Sequence, residues 1–352
     1  MGGNMADNPI EAMQAENERY LDEIIVASSF LEIKIEETFG DDKPTLAAVL
    51  GSGLGPLATD PEIDRVHVIP YAQIPNFPHS NVPGHAGELI LARTKEGHPV
   101  VLMSGRAHYY EYAGVPGWNG SQVMRSITLP VRALKGAGIE ALFLSNAAGG
   151  LNLGPRDPPV LMVDDSFINA TGANPLFGLN IDLLGVRFPP MGGDECNEGL
   201  AVYLNAAAKK LGIDLMHGNY VMNHGPNYEF TAECQVAQAT GQLHAVGMST
   251  VPEVLAALHG YYGKEGKDNY EGAVDALKAN GEKIPEGATY DHARRMQVIA
   301  VSCITNKIGP TGKNATDHQE VLKISRKAVE MFVPLVKSFI ALYYANKSKG
   351  VN

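Results

Sequence analysis

Two short segments hold the side chains best suited to chemistry in this sequence. Gly225-Pro226-Asn227-Tyr228-Glu229 sets an aromatic face beside a carboxylate. About twenty residues on, Gly247-Met248-Ser249-Thr250-Val251-Pro252-Glu253 sets two hydroxyls before a helix start. Thr250 with Glu253 three residues later reads as a capping box, and Pro252 suits a first turn. A helix N-terminus presents free N–H groups and partial positive charge, so it draws an anion toward Ser249. Together the segments predict a pocket with a flat polar ring at one end and an oxyanion at the other.

Three further motifs fit that chemistry. Ser104-Gly105-Arg106-Ala107-His108-Tyr109-Tyr110-Glu111 follows an apolar run. In an extended stretch Arg106, His108 and Tyr110 share one face, where an arginine fork and an imidazole clamp a phosphate and a tyrosine covers a sugar. Gly51-Ser52-Gly53-Leu54-Gly55 exposes N–H groups and a hydroxyl to an oxyanion. It fails as a dinucleotide fingerprint, because the third glycine comes one position early and no acidic residue ends a strand at the required distance. Asn146-Ala147-Ala148-Gly149-Gly150 reads as a tight turn, or as small residues that let the backbone approach a ligand. His85, alone in a loop, is ambiguous.

Other machinery is not apparent. The sequence has no His-Glu-x-x-His, no paired Cys-x-x-Cys, no carboxylate ladder and no Gly-x-Ser-x-Gly elbow. Gly309-Pro310-Thr311-Gly312-Lys313-Asn314 lacks both the spacing of a P-loop and its Ser or Thr after lysine. No metal site is expected.

Alternating elements must position these groups. Strands are predicted at Thr45–Leu50, Leu89–Ala92, Val100–Met103, Ala141–Ser145, Val160–Val163, Tyr220–Met222 and Val298–Ile304. Helices are predicted over 9–36, 121–136, 197–211, 231–240, 251–259 and 316–345. The last carries Val321, Ile324, Ala328, Met331, Leu335, Phe339 and Leu342 on one stripe. The order implies a single-domain α/β/α layering around a mixed sheet flanked by helices, with ligands at strand ends. Residues 1–8 form an extension, and 261–295 a charged, glycine-rich insertion holding a helix near Tyr270–Ala279. It reads as a solvated insertion, with a lid or oligomer contact as the alternative.

Composition narrows the class. The chain has 352 residues, is 45% hydrophobic and carries a formal charge of −11, which argues against nucleic acid as a partner. Nothing approaches eighteen consecutive apolar residues, so no membrane span is expected. Cys196, Cys234 and Cys303 lie far apart, and the N-terminus has no signal-peptide core; the chain reads as cytoplasmic.

Taken in order, the motifs resemble the trimeric class of purine nucleoside phosphorylases. The resemblance rests on Gly51–Gly55, Val82-Pro83-Gly84-His85-Ala86-Gly87, Gly105–Glu111, Asn146–Gly150, Gly225–Glu229, Ala245–Glu253 and Ile304-Thr305-Asn306-Lys307, and spans about residues 20–342. It implies a homotrimer that reversibly phosphorolyses purine nucleosides, with phosphate as co-substrate and no cofactor. Carried over by position, Ser52, Arg106, His108, Ala147 and Ser249 bind phosphate with His85 beside them. Tyr110, Met248 and His318 meet the ribose. Tyr228, Glu229 and Asn306 hold the base, and Asn306, Glu229 and His108 form the catalytic set.

Glu229 with Asn306 suits a 6-oxopurine, because adenine offers neither an N1 proton nor a 6-oxygen. A methylthioadenosine-type phosphorylase would favour a carboxylate in place of Asn306. A non-catalytic nucleoside-binding protein would lose part of the phosphate set, which is complete here. Three stretches depart from the family. The loop between Asn169 and Asn174 is short, leaving Phe167 and Phe177 as candidates to reach a neighbouring subunit. The Tyr112–Gln122 stretch is long and brings Trp118, and 261–295 has no counterpart.

Overall fold

The computed structural model describes residues 8–191, 198–261, 265–281, 283–309, 311–312 and 318–348. The apolar run before Gly51 forms β1 (Leu46–Leu50), buried along its whole length. It lies parallel to β4 (Pro99–Ser104) on one side and to β5 (Ala141–Gly150) on the other. The expected hairpin forms from β3 (Glu88–Thr94) and β4. β2 (Ile63–Pro70), absent from the sequence reading, adds an edge to β3. Its exposed Asp64, Arg65 and Val66 erase the apolar alternation that marks a half-buried strand.

The other strands are β6 (Val160–Asn169), β7 (Met216–Met222), β8 (Leu243–Gly247) and β9 (Gln297–Lys307). Among the described residues the sheet runs β2-β3-β4-β1-β5-β8-β7-β6-β9 and mixes parallel with antiparallel pairs. β9 also pairs with β5, so the last five strands close into a ring. The mixed α/β layering is the expected one. The closure follows from strand tilt and register, which residue types do not reveal. Asn146–Gly150 is not the tight turn that its composition suggests. It continues β5, because pairing with β9 and β8 outweighs the weak strand propensity of alanine and glycine.

Helices cover both faces. α1 (Pro9–Phe39) starts where the Asn8 side chain accepts the Ile10 N–H, and buries Ile24, Leu31 and Ile35. Each such side chain contributes about 2 kcal/mol. On the same face lie α3 (Gly120–Gly136) and α6 (Val251–Leu258). Lys135 ties the two together, donating to the His259 carbonyl at 2.6 Å, while Arg132 donates to His259 Nδ1 at 3.2 Å. α4 (Glu198–Leu211) and α9 (His318–Lys347) cover the opposite face. Of the described helices α9 alone is long and apolar enough to cross a membrane. Here its stripe of Ala328, Phe332, Leu335, Val336, Phe339 and Ile340 is buried against the sheet, as in a core helix.

The 261–295 stretch is largely exposed over α7 (Gly266–Ala279), as a solvated insertion would be, but it is anchored at a few points. It also forms α8 (Tyr290–Ala293), and buries Tyr261, Tyr270, Ala293 and the following Met296 in the core. Tyr270 meets Tyr261 and Tyr290 at ring-centroid distances of 6.4 and 5.9 Å, and the Tyr261 hydroxyl donates to the Asp182 carbonyl. Three tyrosines spread over thirty residues anchor a segment whose average composition is that of a surface loop.

Candidate active site

The C-terminal ends of β1, β4, β5, β8 and β9 converge on a cavity of about 240 Å³. Its wall includes Ser52, Arg106, His108, Tyr110, Ala147, Tyr228, Glu229, Met248, Ser249 and Asn306. Residues as far apart as Ser52 and Asn306, 254 positions, thus share one space.

Arg106 dominates one end. It follows Gly105, whose φ of +103° turns the chain and lets the His85 ring lie where a Cβ would otherwise stand. The guanidinium is buried. Nη1 donates to Ser249 Oγ at 3.1 Å and Thr250 Oγ1 at 3.2 Å, and Nη2 to the Ser145 carbonyl at 2.5 Å. Glu253 Oε2 lies 3.2 Å from Nη1, an ion pair in a dry environment. Burial pushes the Glu253 carboxyl up while the Arg106 charge pulls it back.

The expected Thr250–Glu253 capping box is therefore absent. Thr250 has φ +75° and ψ −54°, and the Val251 N–H donates to the Ser249 carbonyl at 2.9 Å, a γ-turn of the strained, positive-φ kind. A β-branched residue rarely adopts that conformation. It is held because Thr250 Oγ1 accepts from both Arg106 and Asn146 Nδ2, the latter at 3.0 Å. Glu253 faces Arg106 rather than the cap, since a buried guanidinium is the stronger partner.

The extended stretch expected for Arg106, His108 and Tyr110 ends at His108, whose φ of −114° and ψ of 157° are extended, while Tyr110 is helical. His108 caps α2 (Tyr109–Tyr112), and Glu111 Oε1 accepts its backbone N–H at 2.8 Å and lies 2.9 Å from Nδ1. Glu111 also accepts from Ser80 and the Asn81 N–H. Burial alone would raise the Glu111 carboxyl, but these donors hold it below its ordinary value. With Nδ1–H pointed at Glu111, Nε2 is the nitrogen left for a ligand. His85, His108 and Tyr110 stack in a ladder, with successive centroids 5.2 Å apart. His85 does not line the cavity. It stands behind the wall, with Nε2 3.2 Å from Ser52 Oγ and Nδ1 2.8 Å from the Arg106 carbonyl. Burial, helped by His108, pushes its pKa down to about 4, so it stays neutral at physiological pH.

Behind Arg106 runs a buried polar chain. Asn146 reaches Asp164 Oδ2 at 3.3 Å, and Ser302 Oγ lies 3.0 Å from both Asn146 Oδ1 and Asp164 Oδ2. One hydroxyl proton cannot serve two acceptors, so a proton on Asp164 completes the set. Burial pushes Asp164 up to about 7 from an ordinary 3.8, against the pull of Ser302 and Asn146. The folded state thus binds the extra proton between those values. Its contribution to stability is full below about pH 4 and lost as pH rises through about 7. Asp164→Asn, uncharged and of the same shape, is expected to remove this slope from melting temperatures recorded across that window. An unchanged slope would show that Asp164 does not carry it.

Glu229 and Asn306, on the same wall, suit a planar polar ring. Glu229 Oε1 accepts from Asn223 Nδ2 at 3.0 Å. Asn306 stands near the end of β9, where Thr305 Oγ1 donates to its Oδ1 at 3.2 Å. Gly149 packs beside the Asn306 amide, and a Cβ there would sit 3.5 Å from Nδ2. Met248 and Tyr110, both on the cavity wall, lie directly against Gly225. Burial pushes the Tyr110 hydroxyl up to about 12, so it remains a donor.

The side chain of His318 lies outside the described residues, as do Cys196 and residues 313–317. Phe167 packs internally on Tyr220, Phe177 is exposed near α3, and Trp118 stacks on Tyr112; none lines the cavity. Glu253, Asn146, Asp164 and Asn223 escaped the sequence reading as site residues. Glu253 carried a signal, but its spacing from Thr250 matched a cap.

Fold and cavity define an α/β protein whose pocket brings a buried arginine, a histidine and hydroxyls together with a carboxylate and a carboxamide. The family described as "Phosphorylase superfamily" matches residues 45–260. Purine nucleoside phosphorylase 1 of Geobacillus stearothermophilus is 36% identical over 314 residues, 89% of this chain and 95% of the relative. The purine nucleoside phosphorylase of Mus musculus is 39% identical over 309 residues, 85% of this chain and 90% of the relative. Isoform 2 of purine nucleoside phosphorylase from Schistosoma mansoni, solved with cytosine and ribose-1-phosphate, matches with a TM-score of 0.68 at 27% identity, covering 91% of this chain and 95% of that one. The chain belongs to the phosphorylase superfamily and, within it, to the purine nucleoside phosphorylases.

Proposed function

We propose that this chain reversibly phosphorolyses 6-oxopurine ribonucleosides, inosine and guanosine and their deoxy forms, to free base and pentose 1-phosphate in purine salvage. The observation that carries this reading is the joint presence of Glu229 and Asn306 on the wall of the cavity that also holds Arg106, His108 and Ser249. Phosphate sits against Arg106, Ser249, Ser52, His108 and the Ala147 backbone, with His85 bracing Ser52. Tyr110 and Met248 cover the ribose, and Tyr228 lies against the base.

The chemistry follows from charge. As the C1′–N9 bond lengthens, the sugar becomes an oxocarbenium-like cation and the electron pair moves into the purine. As charge builds, N7 gains a proton from solvent, Asn306 Oδ1 accepts a hydrogen bond from the resulting N7–H, and Nδ2 donates to the 6-oxygen, while Glu229 accepts from N1–H. A phosphate oxygen already beside C1′ stabilises the cation and then bonds to it. Positioning and electrostatics do the work, and the step uses no metal or cofactor.

The chain acts as a cytoplasmic homotrimer in this reading, an assembly that rests on the sequence resemblance. The sparse cysteines fit a reducing compartment; Cys234 and Cys303 are both unpaired and buried. Incubation with inosine, with and without phosphate, is expected to release hypoxanthine only when phosphate is present, with ribose 1-phosphate in equal amount. Release without phosphate would make the chain a hydrolase, and no release in either case a binding protein.

A further inference from the structure

Glu229 is steered by a residue that does not line the cavity. Asn223 directly follows β7, and its backbone N–H donates to the Gly247 carbonyl at 2.9 Å, adding a rung to the β7–β8 ladder. Gly247 itself forms part of the cavity wall, so the bond sets Asn223 at a fixed height against the site. From there Nδ2 donates to Glu229 Oε1 at 3.0 Å, across a loop of five intervening residues. An amide N–H on Oε1 engages one carboxylate oxygen, sets the plane of the group and leaves Oε2 for a ligand. A donor at that position also complements the carboxylate form and opposes a proton on the same oxygen.

We infer that Asn223 is the positioning residue that makes Glu229 discriminate between purines: by donating to Oε1 it aims Oε2, as an acceptor, at the N1 position of the base. A 6-oxopurine brings a proton to N1 and is accepted. A 6-aminopurine brings a lone pair there and meets a second lone pair. The inference rests on the reading of Glu229 as the base contact, and it assigns the selectivity to the pair rather than to Glu229 alone. The neighbouring titratable groups do not substitute for Asn223. Glu233 accepts the Phe230 N–H at the start of α5 (Thr231–Ala239). The Cys234 thiol is pushed up to about 11 by burial and by the Glu229 and Glu233 carboxylates.

Two substitutions separate aim from mere structure, because both keep the backbone bond to Gly247. Asn223→Leu removes the donor at similar volume. Asn223→Asp replaces it with a second carboxylate about 3.0 Å from the first, a pair that retains a proton to higher pH and can donate it to an N1 lone pair. The N223L change is expected to lower guanosine kcat/KM by about five- to tenfold, the loss of one charge-assisted hydrogen bond at a part-buried site. The N223D change is expected to narrow the guanosine-to-adenosine ratio of kcat/KM by about tenfold or more and to move the acidic limb of the guanosine profile upward by about one pH unit. In both, KM for phosphate stays within about twofold, since phosphate lies at the other end of the cavity.

The Glu229→Gln variant is measured alongside. If it changes the purine ratio while N223L and N223D keep the wild-type ratio and limb, Asn223 has no steering role. If E229Q leaves the ratio unchanged, the reading of Glu229 is what fails. Should either Asn223 variant fold poorly, Asn223→Ala gives the same comparison for the lost donor.

Discussion

Replacing Asn306 by alanine is expected to lower kcat for inosine phosphorolysis by about a hundred- to a thousandfold, the usual cost of one preorganised transition-state contact. The reason lies in when charge appears. Bound inosine carries no net charge on its purine, so the Asn306 amide gains little in the ground state. As the glycosidic bond breaks, the electron pair spreads toward N7 and the 6-oxygen, and the amide meets it in place. An interaction made mainly in the transition state shows in kcat, whereas KM for inosine moves much less. The Thr305 hydroxyl on Oδ1 and the close flank of Gly149 hold the amide, so little reorganisation is needed as charge develops. Phosphate, bound at the Arg106 end, should keep its KM within about threefold. Steady-state hypoxanthine release at saturating phosphate gives kcat and KM for inosine, and a phosphate titration gives the third quantity. Near-normal turnover in the variant would remove Asn306 from the mechanism.

The parts of this site visible in the sequence are those with local chemistry. Arg106, His108 and Tyr110 recur at alternate positions after an apolar run, and Ser52 sits among glycines after another. Such groups are legible because a strand end with small neighbours has few structural uses for a hydroxyl or a guanidinium. The supports were hidden for a different reason. Glu253 pairs with an arginine 147 positions away, and within its own segment its spacing from Thr250 is that of a helix cap. Asp164 has Asp165 beside it in sequence, yet the first is wholly buried and the second exposed, because neighbouring strand residues face opposite sides and Asp165 falls at an irregularity in the β6–β7 register. Closure of the last five strands was hidden likewise. By composition β5 ends at Ser145, and only its pairing with β9 carries it on through Asn146, Ala147 and Ala148. Tertiary partners decide such cases, and local propensity does not carry them.

Replacing Arg106 by alanine is expected to fail in two separable ways. The first is functional: the anion end loses its fork, and kcat/KM for phosphate is expected to fall by about a thousandfold or more. The second is structural. Arg106 is the cation facing the buried Glu253, and it also braces the strained Thr250 turn through Nη1. Removing one partner of a buried ion pair leaves an uncompensated charge and typically costs about 3–5 kcal/mol. Part of that cost is escaped if Glu253 takes up a proton, which burial already favours. Adding Glu253→Gln to the variant removes the orphaned charge, so R106A/E253Q should recover much of the melting temperature while phosphorolysis stays lost. Arg106→Lys tests the geometry alone: a point charge can face Glu253, but it cannot reach Ser249, Thr250 and the Ser145 carbonyl as a planar fork does. It should therefore fold better than R106A and still bind phosphate poorly. A double variant as unstable as R106A would mean that the Thr250 turn, and not the charge on Glu253, is what Arg106 chiefly holds. Phosphate KM unchanged in all three would move the anion site away from this end of the cavity.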